Sequence, residues 1–178
     1  MRLFIGIPLG ATVAIELAAI TERLKSPGDG LRWSAVEGWH ITLQFLGQTH
    51  EARYTCVVSG LRAVRSASFP IQLEPPGFFD SAGVFFAGVR LSPPLERLQQ
   101  DVVSATASCG FVAEERPYHP HITLARAKGG GNPLRALKPK LQGTPRFSEF
   151  VAREFRLYES FSDPGGSRYE VRERFVLG

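Results

Sequence analysis

Two histidines, His40 and His121, each stand two residues before a threonine, Thr42 and Thr123, inside the same tetrapeptide His-Ile-Thr-Leu. With 4 histidines and 43% apolar residues in the chain, a His-apolar-Thr-apolar match is expected by chance only about 0.03 times. Two matches therefore mark a duplicated structural unit. In an extended strand, residues two apart share a face and sit about 6.6 Å apart. Each copy thus presents an imidazole and a hydroxyl on one surface, while Ile41, Leu43, Ile122 and Leu124 face the core. One copy alone reads as an ordinary half-buried strand; two copies related by approximate two-fold symmetry set both pairs across a cleft.

Two imidazoles facing each other suit the in-line opening of a cyclic phosphodiester. One ring takes a proton from water and the other protonates the departing ribose oxygen, and a side chain with an ordinary pKa near 6.5 serves either role at neutral pH. The two threonine hydroxyls would donate to the non-bridging phosphate oxygens, where charge must be held. Ring strain in a five-membered cyclic phosphate makes a metal unnecessary, so neither a metal site nor a cofactor is expected.

The elements that position these residues follow from periodicity. Strands are expected at Arg2 to Ile7, Leu31 to Trp33, Trp39 to Phe45, Phe69 to Leu73, Val84 to Leu91, His121 to Ala125, Arg153 to Ser160 and Arg168 to Val176. Three amphipathic helices follow Thr12, Thr49 and Ser92 as expected N-caps, with apolar faces of Val13, Leu17, Ile20 and Leu24, then Tyr54, Val57, Leu61 and Val64, then Leu95, Leu98 and Val102. Pro75, Pro76 and Gly77 are expected to break the chain, and Gly129 to Pro133 reads as a hairpin tip. Strands and helices mix without regular βαβ alternation, so the fold class is α+β. The 178 residues are expected to form a single domain of two lobes, each carrying one motif.

The formal charge of +4 and the pI near 9.4 favour an anionic partner, and 17 of the 21 cations are arginine, which suits phosphate. Average apolar and charged content excludes a fibrous or disordered chain. Cys56 and Cys109 read as buried free thiols. The apolar run from Leu3 to Ala19 contains Pro8, Gly10 and Glu16, which argues against a secretory signal; the protein is expected to be cytoplasmic, monomeric and free of membrane contact.

The chain resembles the two-histidine phosphoesterase superfamily, and within it the RNA 2',3'-cyclic phosphodiesterases, historically called 2'-5' RNA ligases. The resemblance rests on Arg2 to Pro8, Arg32-Trp33, Trp39 to Leu43 continuing to Phe45-Leu46-Gly47, Pro117 to Arg126, Leu157 to Ser160, and Tyr169. It implies a bilobal pseudo-two-fold duplication in which antiparallel sheets line a central cleft. It also implies His40 as proton donor, His121 as acceptor, and Thr42 and Thr123 as phosphate ligands. The implied reaction is hydrolysis of an RNA 2',3'-cyclic phosphate end, tRNA fragments among the possible substrates, to a 2'-phosphomonoester. The reverse is a 2'-5' ligation.

Arg126, Tyr118 and Phe45 complete the candidate substrate-binding set. Arg126 follows Thr123 by three residues, so its side chain reaches the cleft only if the strand bends. Phe45, Tyr118 and Trp33 suit stacking on a base or packing in the core. His119 reads as a surface histidine and His50 as structural. Two rivals stand beside this reading: a metallohydrolase built on His40, His119 and His121, which lacks clustered carboxylates, and a non-catalytic RNA-binding module using the same basic cleft.

Overall fold

In the computed structural model, which describes residues 1–129 and 132–178, the chain opens with β1 (Arg2–Pro8), buried from Leu3 to Ile7. Helix α1 (Ala11–Leu24) follows, then β2 (Leu31–Trp33), β3 (His40–Gln48), α2 (Glu51–Ala63), β4 (Phe69–Ile71), β5 (Leu73–Phe79) and β6 (Val84–Val89). The remainder is α3 (Pro93–Ala107), β7 (His121–Ala127), α4 (Pro133–Leu137), β8 (Phe150–Ala152), β9 (Glu154–Asp163) and β10 (Gly166–Val176). Eight strands form two antiparallel sheets, ordered β10-β9-β1-β3 and β2-β7-β6-β5, and β4 pairs with β8 apart from them.

The duplication is visible in the element order, because β1-α1-β3-α2 is matched by β6-α3-β7-α4. The motif strand β3 pairs with β1 as the motif strand β7 pairs with β6. Each sheet therefore carries one His-Ile-Thr-Leu copy in a bilobal α+β fold. The lobes are interleaved: β2 precedes the first motif in sequence, yet it pairs with β7 in the other sheet. Helix faces expected from periodicity, including Val13 and Leu17, Val57 and Leu61, and Leu95, Leu98 and Val102, are buried with Ile5, Ile7, Ile41 and Ile122 in one core. Fully burying such a side chain contributes about 1.5–3 kcal/mol.

Several local expectations are corrected. Pro75, Pro76 and Gly77 do not break the chain but lie inside β5. This strand is at the sheet edge, where a missing N–H costs no ladder bond, and its register slips between Leu73 and Pro76. Gly77 leaves room for Phe86, whose Cζ would stand 2.7 Å from an added Cβ. Thr12 is not the cap of α1; Gly10 is, and its carbonyl accepts from the Ala14 N–H at 3.0 Å. Thr49 yields the cap of α2 to His50, because its hydroxyl donates to the Gly47 carbonyl and its N–H to the Met1 carbonyl. Val64 lies just past the end of α2.

Cys56 and Cys109 are not free thiols: they form a disulfide between α2 and the end of α3, with Cα atoms 5.8 Å apart. The two helices dock so closely that a Cβ on Gly60 would lie 2.7 Å from the Ala105 carbonyl oxygen, and this docking brings the cysteines together. Gly130 and Gly131 of the expected hairpin tip lie outside the described residues. Among the described residues, no helix is long and apolar enough to cross a membrane.

Candidate active site

Each motif strand holds its histidine in the same way. His40 Nδ1 lies 2.7 Å from the Gly38 carbonyl, and His121 Nδ1 lies 2.7 Å from the His119 carbonyl. A carbonyl only accepts, so Nδ1 carries the hydrogen in both rings and Nε2 is left to gain or lose a proton. Aromatic rings wall each imidazole. Phe4 lies 4.4 Å from the His40 ring and Tyr169 meets it edge-on at 5.3 Å, while Phe79 and Phe86 stand 5.0 and 5.4 Å from the ring of His121.

Both pairs, His40 with Thr42 and His121 with Thr123, line one cavity of about 460 Å³ between the sheets. Ile41, Leu43, Ile122 and Leu124 are buried beneath them. The bend that Arg126 needs is present. In the pairing of β6 with β7, Phe86 faces Thr123 and Phe85 faces Ala125, so Leu124 is the extra residue of a β-bulge. The first motif does the same: Gly6 faces Thr42 and Ile5 faces Gln44, leaving Leu43 as the extra residue. Two consecutive buried residues follow each threonine, and the next side chain, Phe45 in one copy and Arg126 in the other, returns to the cavity wall.

Tyr118 is placed differently. Its hydroxyl donates to the Thr42 carbonyl at 2.8 Å, and it is absent from the cavity lining. Trp33 packs edge-on against Phe85 and its Nε1 donates to Asp29. The ring of His119 lies 6.2 Å from that of His121, and among the described residues no three His, Cys, Asp or Glu side chains gather as a metal-binding group. Two polar cavity residues, Ser34 and Ser167, escaped the sequence reading, and Arg2 and Ser160 entered it only through the resemblance, with no role. Tyr169, also on the wall, belonged to the resemblance but had no assigned role.

A family model described as the 2'-5' RNA ligase superfamily matches residues 13–163. The chain belongs to this superfamily. It is 31% identical over 176 residues to the RNA 2',3'-cyclic phosphodiesterase of Thermotoga maritima, covering 96% of this chain and 92% of that one. Identity to the RNA 2',3'-cyclic phosphodiesterase of Escherichia coli is 29% over 178 residues, covering 99% and 96%. The crystal structure of E. coli LigT complexed with 3'-AMP superposes with a TM-score of 0.83 at 28% identity, covering 99% of this chain and 97% of that one.

The electrostatics of this superfamily member follow from its walls. Burial among aromatic rings pushes His40 down to about 4, with the Gly38 carbonyl opposing and nearby His121 adding to the effect. His121 is lowered mainly by burial too, then by His119 and Arg126, while the His119 carbonyl opposes. Both imidazoles are therefore neutral at pH 7. An anion between them would favour the charged form of each.

Proposed function

We propose that this protein hydrolyses the 2',3'-cyclic phosphate at the end of an RNA to a 2'-phosphomonoester, with His40 and His121 as a general acid-base pair. The observation that carries this reading is that two identically held imidazoles, each with its threonine, line one cavity. The superfamily and the relatives named RNA 2',3'-cyclic phosphodiesterase support the same substrate class.

Water attacks phosphorus in line with the bond to O3', and His121 Nε2 takes the water's proton. The P–O3' bond breaks, and His40 Nε2–H protonates the departing O3', leaving phosphate on O2'. Each transfer contributes about 10²–10⁴-fold. Thr42 and Thr123 donate to the non-bridging oxygens, and Arg126 faces the charge that grows on them. Because burial pushes His40 down to about 4, it takes up its proton with the anionic substrate, whose charge favours the imidazolium. A 5'-hydroxyl in place of water, with the same bond breaking, gives a 2'-5' link. We read the acting unit as one monomeric domain of two lobes in the cytoplasm, with tRNA fragments among its substrates. There the Cys56–Cys109 bond must withstand a reducing pool.

The test is product analysis on an oligonucleotide with a 2',3'-cyclic phosphate, with and without EDTA. A 2'-phosphate product formed equally in both is expected. A 3'-phosphate product, loss of activity with EDTA restored by zinc, or RNA bound but left intact would each overturn the assignment.

A further inference from the structure

Arg126 has a neighbour that the chemistry above leaves unused. In the pairing of β2 with β7, Arg32 is directly opposite Arg126, so the two side chains rise from the same face of the sheet. Like charges directly opposite each other are destabilising. Among the described residues, neither guanidinium has a carboxylate within ion-pair distance. The nearby hairpin cation Arg168 shows the contrast, since it is held by Glu170 and Asp163 and lies over the Phe161 ring.

The position of Arg32 relative to the cavity is fixed by β2. Trp33 points to the buried side, where it meets Phe85 and Asp29. Ser34, one residue on, lines the cavity and donates its N–H to the Leu124 carbonyl at 2.8 Å. Arg32 is two residues before Ser34 on the same face, one strand step of about 6.6 Å farther out. Its stem runs along the β9–β10 turn, where a Cβ on Gly166 would stand 3.7 Å from Arg32 Cδ. The next residue, Ser167, is again on the cavity wall. Arg32 thus spans the rim between the sheets, next to the cation that faces the reacting phosphate.

We propose that Arg32 binds the backbone phosphate next to the reacting one, the 5'-phosphate of the terminal nucleotide, so that the site selects an RNA chain end over a free cyclic mononucleotide. This rests on the hydrolase reading above. One outward strand step matches one step along an extended nucleic acid backbone, and the planar fork of arginine suits a phosphodiester. Unpaired like charges held side by side are relieved when an external anion joins them.

The experiment compares kcat/KM on three substrates: adenosine 2',3'-cyclic phosphate, the same compound carrying a 5'-phosphate, and the dinucleotide ending in the cyclic phosphate. The wild-type protein is expected to favour the second and third by about tenfold or more over the first. In Arg32→Gln that preference falls toward one, and the salt dependence on the dinucleotide drops by about one charge. Arg32→Lys recovers part of the preference. A preference that survives in Arg32→Gln, or a wild-type protein with none, overturns the assignment of Arg32 alone. If the wild-type protein cleaves none of the three, the hydrolase reading fails and this inference fails with it.

Discussion

Tyr118, three residues before His121, donates its hydroxyl to the backbone oxygen of Thr42 at 2.8 Å. The approach to the second motif is thereby tied to the first, and the two His-x-Thr strands are held at a fixed separation. In Tyr118→Phe the lost bond should cost about 1–2 kcal/mol, a fall of several degrees in Tm. A change of well under 1 Å in the relative placement of the strands should lower kcat by about tenfold with KM little changed. Thermal melts and steady-state kinetics check this pair; an unaltered kcat beside a lowered Tm would limit the tie to stability.

The histidines set an acid-shifted profile. Because burial lowers both, His40 to about 4, the singly protonated free enzyme is most abundant below pH 6.5, so kcat/KM should fall as pH rises from 6 to 8. Bound phosphate raises both groups, so kcat should hold to higher pH. Stability follows the same linkage. The depressed pKa of His40 contributes stability that is fully present above 6.5 and is lost as pH falls through about 4, about 3 kcal/mol in all. Denaturant unfolding from pH 7 to pH 4 should show this loss in the wild type and a shallower one in His40→Ala.

The paired bulges give Phe45 and Arg126 equivalent positions with different chemistry. Arg126→Ala should lower kcat by about 10²-fold, the usual effect of removing one donor from developing charge. Phe45 is 61% exposed, so Phe45→Ala should act chiefly on KM, by about 1–3 kcal/mol if a base stacks on the ring. Kinetics of the two variants on one oligonucleotide separate these effects.

The Cys56–Cys109 bond joins residues 53 apart in sequence, which in the chain-entropy view is worth about 4 kcal/mol. Neither cysteine lines the cavity. Reduction should therefore lower Tm markedly and leave kcat at 25 °C nearly unchanged. Melts and assays with and without dithiothreitol measure both.

How much of this was legible in the sequence depended on the range of the cause. The roles of His40, Thr42, His121 and Thr123 as co-facial pairs follow from a period of two within a single strand, and the structure brings all four to one cavity. Arg126 needed the extra residue Leu124, which exists only through the register of β7 against β6. Ser34 reaches the wall because β2 crosses to the other sheet, and Ser160 and Ser167 come from the far end of the chain. The disulfide depends on how α2 docks on α3, and the prolines of β5 depend on that strand being an edge. Each of these is a tertiary relationship, which local spacing does not encode.

The most direct measurement is turnover of an RNA bearing a 2',3'-cyclic phosphate by His40→Ala, His121→Ala and the double variant, with folding verified by circular dichroism. Each single variant should lose about 10²–10⁴-fold in kcat, and the double should lose much less than the product of the two, as for residues that act as a unit. Wild-type turnover in either single variant would contradict catalysis by two histidines on one phosphate.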